Sequence, residues 1–251
     1  GGGCDEVPQK NVDFGGGLER ITAASCGDPD VFRIDTLRAL MDGIEQRTAA
    51  RYGADEQMTC SFRIVADHLR GTVFMIGDGV LPANKEQGYF VRRLLRRAVR
   101  HMDLLGMQEN TLHELVAPAV ELYADQYPVL REQTRDIREE IQKEEERFRL
   151  TLTRGLKQFE ILGHRMSKNL SGSEAFDLYQ TYGFPLDVTL ELAQEQGMSV
   201  DRAGFETELK KHQERSRAGA ERKFHGGLAD HSAMSVRYHT ATHLLHQALR
   251  D

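Results

Sequence analysis

Apolar residues return every three or four positions along most of this chain, and that spacing commits it to helices. Val31, Ile34, Leu37, Leu40, Met41 and Ile44 form one such face, as a turn of about 3.6 residues requires. Phe62, Ile64, Val65, Leu69 and Phe74 form a second, with a break expected at Gly71. Val91, Leu94, Leu95, Ala98, Met102 and Leu105 form a third, and a long polar helix is expected over residues 129–164 on a thin stripe of Ile137, Ile141, Phe148, Leu152, Leu156 and Phe159. Shorter helices are expected over 172–179, 187–196, 204–217 and 236–251. Alternation of the β kind is confined to Val12–Phe14. The expected fold is mainly α, with one short strand at the N-terminal end.

Composition narrows the classes. The 251 residues are 39% hydrophobic, which suits a globular chain. No apolar run approaches the roughly 18–20 residues of a membrane span, so no membrane partner is expected. Cys4, Cys26 and Cys60 are too few and too scattered for a disulfide framework, which fits a reducing compartment and a cytoplasmic location. Lys and Arg number 33 against 39 Asp and Glu, a net charge of −6. A whole-molecule basic field is therefore absent, and any nucleic-acid binding must use a local patch.

One such patch is written into residues 91–101. Arg92, Arg96 and Arg100 fall at i, i+4 and i+8, and Arg93 and Arg97 make the adjoining stripe. Within this run no carboxylate relieves them. Guanidinium forks match phosphate oxygens, so a phosphate backbone is one partner for this face; carboxylates from another helix, such as the run 139–146, are the other. The Gly- and Pro-containing stretch 77–88 reads as a loop that delivers Asn84 beside the arginines. There the carboxamide either reads a base edge in a shallow RNA minor groove or shapes a turn.

Two further features carry chemistry. Gly15, Gly16 and Gly17 lie between the strand and a helix that holds Arg20, an arrangement that lets backbone and guanidinium approach a phosphate or simply makes a turn. His239 and His243 fall at i, i+4, with His246 one turn on. They are either two ligands of a zinc ion or a pair of surface histidines. Residues 218–231 read as a linker.

Taken together, these segments resemble the alanyl-tRNA synthetases, a family of class II aminoacyl-tRNA synthetases. Val12-Asp13-Phe14-Gly15-Gly16-Gly17-Leu18-Glu19-Arg20 looks like motif 3, and Arg63-Ile64-Val65-Ala66-Asp67-His68 resembles a second signature. Asp78-Gly79-Val80-Leu81-Pro82-Ala83-Asn84 with the arginine run resembles a third, Leu178-Tyr179-Gln180-Thr181-Tyr182-Gly183-Phe184-Pro185 a fourth, and His239/His243 the start of an editing-domain zinc motif.

The resemblance implies a division at 1–25 (end of the catalytic domain), 26–217 (helical tRNA-recognition domain) and 218–251 (linker and start of a shortened editing domain). It implies ATP-dependent attachment of alanine to tRNA(Ala), with Gly15, Gly16, Gly17 and Arg20 on ATP and its Mg2+. Arg92, Arg93, Arg96, Arg97 and Arg100 are implied on acceptor-stem phosphates. Asn84 is implied as acceptor from the guanine 2-amino group of a G·U pair, with Gln180 beside it where many members carry Asp. Motifs 1 and 2 and the remaining zinc ligands are absent, so both ends are expected to be cuts. The segment alone is expected neither to catalyse nor to hold zinc tightly at His239 and His243. A stand-alone, inactive tRNA-binding module is the alternative.

Overall fold

The computed structural model describes residues 15–107, 109–164, 168–223 and 248. Ten α-helices occur among them. They are α1 (Leu18–Ser25), α2 (Asp35–Glu45), α3 (Glu56–Gly77), α4 (Glu86–Leu104), α5 (Val116–Tyr123), α6 (Pro128–Glu132), α7 (Thr134–Gly163), α8 (Gly172–Tyr182), α9 (Leu186–Glu195) and α10 (Arg202–Lys223). Two strands of two residues, β1 (Asn169–Leu170) and β2 (Ser199–Val200), pair in parallel. The mainly α expectation holds. The strand expected at Val12–Phe14 lies outside the described residues.

The helices begin where local chemistry favours it. Asp55 accepts from the Met58 backbone N–H at 2.7 Å and caps α3, satisfying a donor that has no partner within the helix. Ser171 and Glu174 close a capping box on α8. The apolar faces of α2 to α10 then meet in one continuous core, in which Leu40, Ile44, Phe62, Leu69, Leu95, Met102, Phe148 and Phe184 are almost wholly buried.

Three local expectations need correction. Helix α3 runs through Gly71 without a break; a mid-helix glycine costs only about 1 kcal/mol, and packing along α4 outweighs it. The long helix expected over 129–164 is two helices. It is interrupted at Gln133, where the Thr134 hydroxyl donates to the Leu130 and Arg131 carbonyls, both at 2.9 Å. Helix α10 continues through Ala218 to Lys223, into the stretch read as linker, because Ala, Glu, Arg and Lys there favour helix and a single Gly219 does not stop it. Helix α5 and the pairing of β1 with β2 were not anticipated at all.

Candidate nucleic-acid interface

The loop between α3 and α4 is anchored at both ends. Gly79 N–H donates to Ile76 O at 2.8 Å and Val80 N–H to Met75 O at 2.9 Å, which closes α3. On the far side, Ala83 N–H donates to Gly88 O at 2.9 Å, folding the loop onto the first turn of α4. Asn84 is thereby held exposed at the head of α4, where its Oδ1 accepts from the Arg92 guanidinium.

The arginines of α4 do not lack carboxylate partners. Glu144 of α7, 1% exposed, sits between two of them: Arg96 Nε donates to its Oε1 at 2.8 Å, and Arg92 Nε lies 3.1 Å from the same oxygen. Burial pulls the Arg96 guanidinium below its ordinary value in spite of Glu144, and the group also lies over the Phe148 ring, 5.1 Å from its centre. The other three pair with α9. Arg93 donates to Asp187, Arg97 Nε to Glu191 Oε1 at 2.7 Å, and Arg100 Nη2 lies 3.2 Å from Glu195 Oε2. The expected Glu-rich run therefore supplies one partner, and a ladder on α9 supplies the rest. That ladder was legible as Asp187, Glu191 and Glu195 at i, i+4 and i+8, the same period as the arginines.

The ladder continues inward. Glu191 Oε2 lies 3.2 Å from His101 Nε2, whose Nδ1 meets Ser61 Oγ at 3.0 Å. Burial pushes the Glu191 carboxyl up, but hydrogen bonds from His101 and Arg97 outweigh it and leave it below the usual 4.5. A carboxylate so lowered contributes stability above the ordinary carboxylate range and loses it as pH falls through its own value.

The turn between α8 and α9 ties this system together. Gly183 ends α8 with φ 71°, a left-handed conformation that glycine adopts without strain. Its carbonyl accepts from Arg96 Nη1 at 2.6 Å, and a Cβ at this position would fall 2.0 Å from that nitrogen. Phe184 then turns inward, edge-on to Phe148 with ring centres 6.0 Å apart. Gly155 of α7 makes room for it, since a Cβ there would meet the Phe184 ring at 2.2 Å.

Between these elements lies a cleft of about 790 Å³. Asn84, Tyr89, Arg92, Arg93, Arg96 and Gln180 line it, and α7 and α10 contribute Arg147 and His212. Burial holds the Tyr89 and Tyr179 phenols above the ordinary tyrosine value of 10.0, so at neutral pH both are O–H donors. Arg97 faces a smaller recess of about 360 Å³ with His68, Phe90 and Glu191, and neither it nor Arg100 lines the main cleft. The structure thus brings together Asn84, Gln180 and three of the five arginines.

The remaining candidates lie elsewhere. Gly15, Gly16, Gly17 and Arg20 are exposed at the start of α1, where Gly17 supplies no side-chain cap to the first turn. Open N–H groups and a guanidinium at that point fit a phosphate group. Neighbouring Glu19 is held by Arg70 at 2.6 Å. His239 and His243 lie outside the described residues. Among the described residues no cluster of three or more His, Cys, Asp or Glu is placed to hold a metal ion, and no helix is long and apolar enough to cross a membrane.

The family described as tRNA synthetases class II (A) matches residues 2–249. The chain belongs to that family. An alanine–tRNA ligase from Borrelia hermsii (strain HS1 / DAH) is 42% identical over 252 residues, covering 99% of this chain and 42% of its own length. One from Treponema pallidum (strain Nichols) is 44% identical over 245 residues, covering 95% and 40%. One from Acidothermus cellulolyticus is 43% identical over 241 residues, covering 96% and 27%. The chain thus spans less than half the length of these relatives. Within this synthetase segment, sequence reasoning missed the α9 carboxylates and the wall that α7 and α10 add to the cleft.

Proposed function

We propose that the cleft between α4, α7, α8 and α10 holds the acceptor stem of tRNA(Ala), and that this chain is the recognition segment of an alanine–tRNA ligase. The observation that carries the reading is the convergence of Asn84, from the α3–α4 loop, and Gln180, from α8, on one cleft edged by Arg92, Arg93 and Arg96. Two exposed amide side chains between cations suit the wide minor groove of an A-form helix, whose floor shows base edges and whose rims are phosphates.

Asn84 Oδ1 already accepts from Arg92. A carbonyl oxygen has two lone pairs, so it can also take the guanine 2-amino hydrogen that a G·U wobble leaves unpaired. Gln180 offers a carbonyl without the charge of Asp, and adds a donor. Arg93 is the most exposed of the α4 arginines, 40% at its side chain, and is the first placed to exchange its carboxylate for a phosphate. Arg97 and Arg100 take their share of phosphate contact only as Glu191 and Glu195 give way.

In the whole protein, ATP with Mg2+ would be held by Gly15, Gly16, Gly17 and Arg20, and alanine by segments not in this chain. Zinc belongs to the editing domain of the same whole protein; His239 and His243 would supply two of the four ligands that a structural zinc site closes on, and as a half site they are expected to hold it only weakly. Such an enzyme works in the cytoplasm. The test of the reading is a salt titration of acceptor-stem binding. Affinity is expected to fall steeply as salt rises, because each phosphate neutralised releases a counterion. Binding that is absent, or indifferent to salt, would remove the reading.

A further inference from the structure

We propose that Arg147 of α7 and Lys85 at the head of α4 are the uncompensated cations of the cleft, and that each binds a backbone phosphate of the RNA held there. The inference rests on the acceptor-stem reading above and adds two contacts to it.

The observation behind it is how the carboxylates of α7 are shared out. Glu139 pairs with Arg135 at 2.9 Å, Glu140 with Lys143 at 2.8 Å, and Glu145 with Arg149 at 3.0 Å. Glu146 accepts from Gln142 at 2.9 Å. Glu144, the one carboxylate a helical turn before Arg147, is taken by Arg92 and Arg96. Arg147 is left exposed, with no hydrogen bond or ion pair among the described residues. It falls three residues after Glu144 and four before Thr151, a spacing that puts all three on one stripe of the helix, and Arg147 and Thr151 both line the cleft. Lys85 has the same standing at another edge. It lines the cleft beside Asn84, is exposed, and has no carboxylate within pairing distance among the described residues.

Charge then decides which cations meet an anion most readily. The cleft is lined by Lys85, Arg92, Arg93, Arg96 and Arg147. Against them stand Glu86 in the lining, with Glu144 and Asp187 pairing from behind. A phosphate meeting Arg92 or Arg96 must compete with a buried carboxylate. One meeting Arg147 or Lys85 competes only with water. The guanidinium takes two phosphate oxygens in a fork and the ammonium takes one as a point charge. Coming from different elements around one cleft, they are placed to meet phosphates on the two rims of a minor groove.

The experiment measures binding of an acceptor-stem RNA hairpin to the 251-residue chain over a series of salt concentrations. Arg147→Gln and Lys85→Gln are each expected to weaken binding about three- to tenfold, as for the loss of one ordinary, solvent-exposed hydrogen bond, and to reduce the salt slope by about one. The loss should be the same for stems carrying G·U and G·C, since a phosphate contact carries no base information. Thermal unfolding of both variants should match the parent, because neither side chain holds the fold. Arg154→Gln, exposed on the same helix but outside the cleft, should leave affinity and slope unchanged. A parent chain that binds the hairpin while Arg147→Gln and Lys85→Gln bind it with the same affinity and slope overturns this inference and leaves the acceptor-stem reading standing. A parent chain that does not bind at low salt overturns both.

Discussion

Replacing Glu144 by Ala is expected to destabilise the fold by about 3–5 kcal/mol. The carboxylate is 1% exposed, and the Arg92 and Arg96 side chains around it are 17% and 14% exposed. Removing it leaves two largely buried guanidinium groups with no anion between them, and breaking a buried pair from one side costs about that much. Glu144→Gln keeps the shape but not the charge, and is expected to lose most of the same stability. Denaturant unfolding gives the difference as a lowered midpoint. A loss under about 1 kcal/mol in both variants would mean that α4 and α7 are held by their apolar contacts alone. The expected loss also reaches function, because Arg96 carries the Gly183 carbonyl and with it the turn that presents Gln180.

Phe184→Ala is expected to cost a similar amount, about 3–5 kcal/mol, the usual range for removing a buried aromatic ring. The ring is wholly buried and fills the space that Gly155 leaves on α7. Its loss empties the joint where α8, α9 and α7 meet, so the α9 ladder should loosen and acceptor-stem binding should weaken along with the fold. Paired measurements of unfolding midpoint and hairpin affinity check this. A stable variant with unchanged affinity would show that the Gly183–Pro185 turn does not position the cleft.

How much of this was legible beforehand follows from what each feature depends on. Helices α2, α3, α4 and α9 have apolar faces of their own, and a face is a local property of the sequence. The break at Gln133 is a change of backbone angle at one residue, φ −98° and ψ 7°, which no periodicity records. The β1–β2 pair is two residues long on each side, too short for alternation to register. The stripe of arginines on α4, the Glu-rich run that holds Glu144, and the matching period of Asp187, Glu191 and Glu195 are all written in the sequence, but the pairing between them is not. Which carboxylate meets which arginine is set by how α9 crosses α4, and that crossing is a tertiary outcome. The nearness of Asn84 and Gln180 was implied only by resemblance, and the structure supplies the cleft that both of them line. Nothing in the sequence sets Arg147 apart from the other charges of a polar helix; the pairing of its neighbours does.

Under the proposed function, Asn84 reads the guanine 2-amino group of a G·U pair lying in this cleft. The most direct measurement replaces that guanine by inosine, which keeps the wobble geometry and deletes only the amino group. Parent and Asn84→Ala chains are each titrated with both stems. The parent is expected to bind the G·U stem about 1–3 kcal/mol more tightly than the I·U stem, as for one base-edge contact, while Asn84→Ala binds both stems alike at the weaker affinity. Equal binding of the two stems by the parent, or a preference for G·U that survives in Asn84→Ala, would contradict the claim.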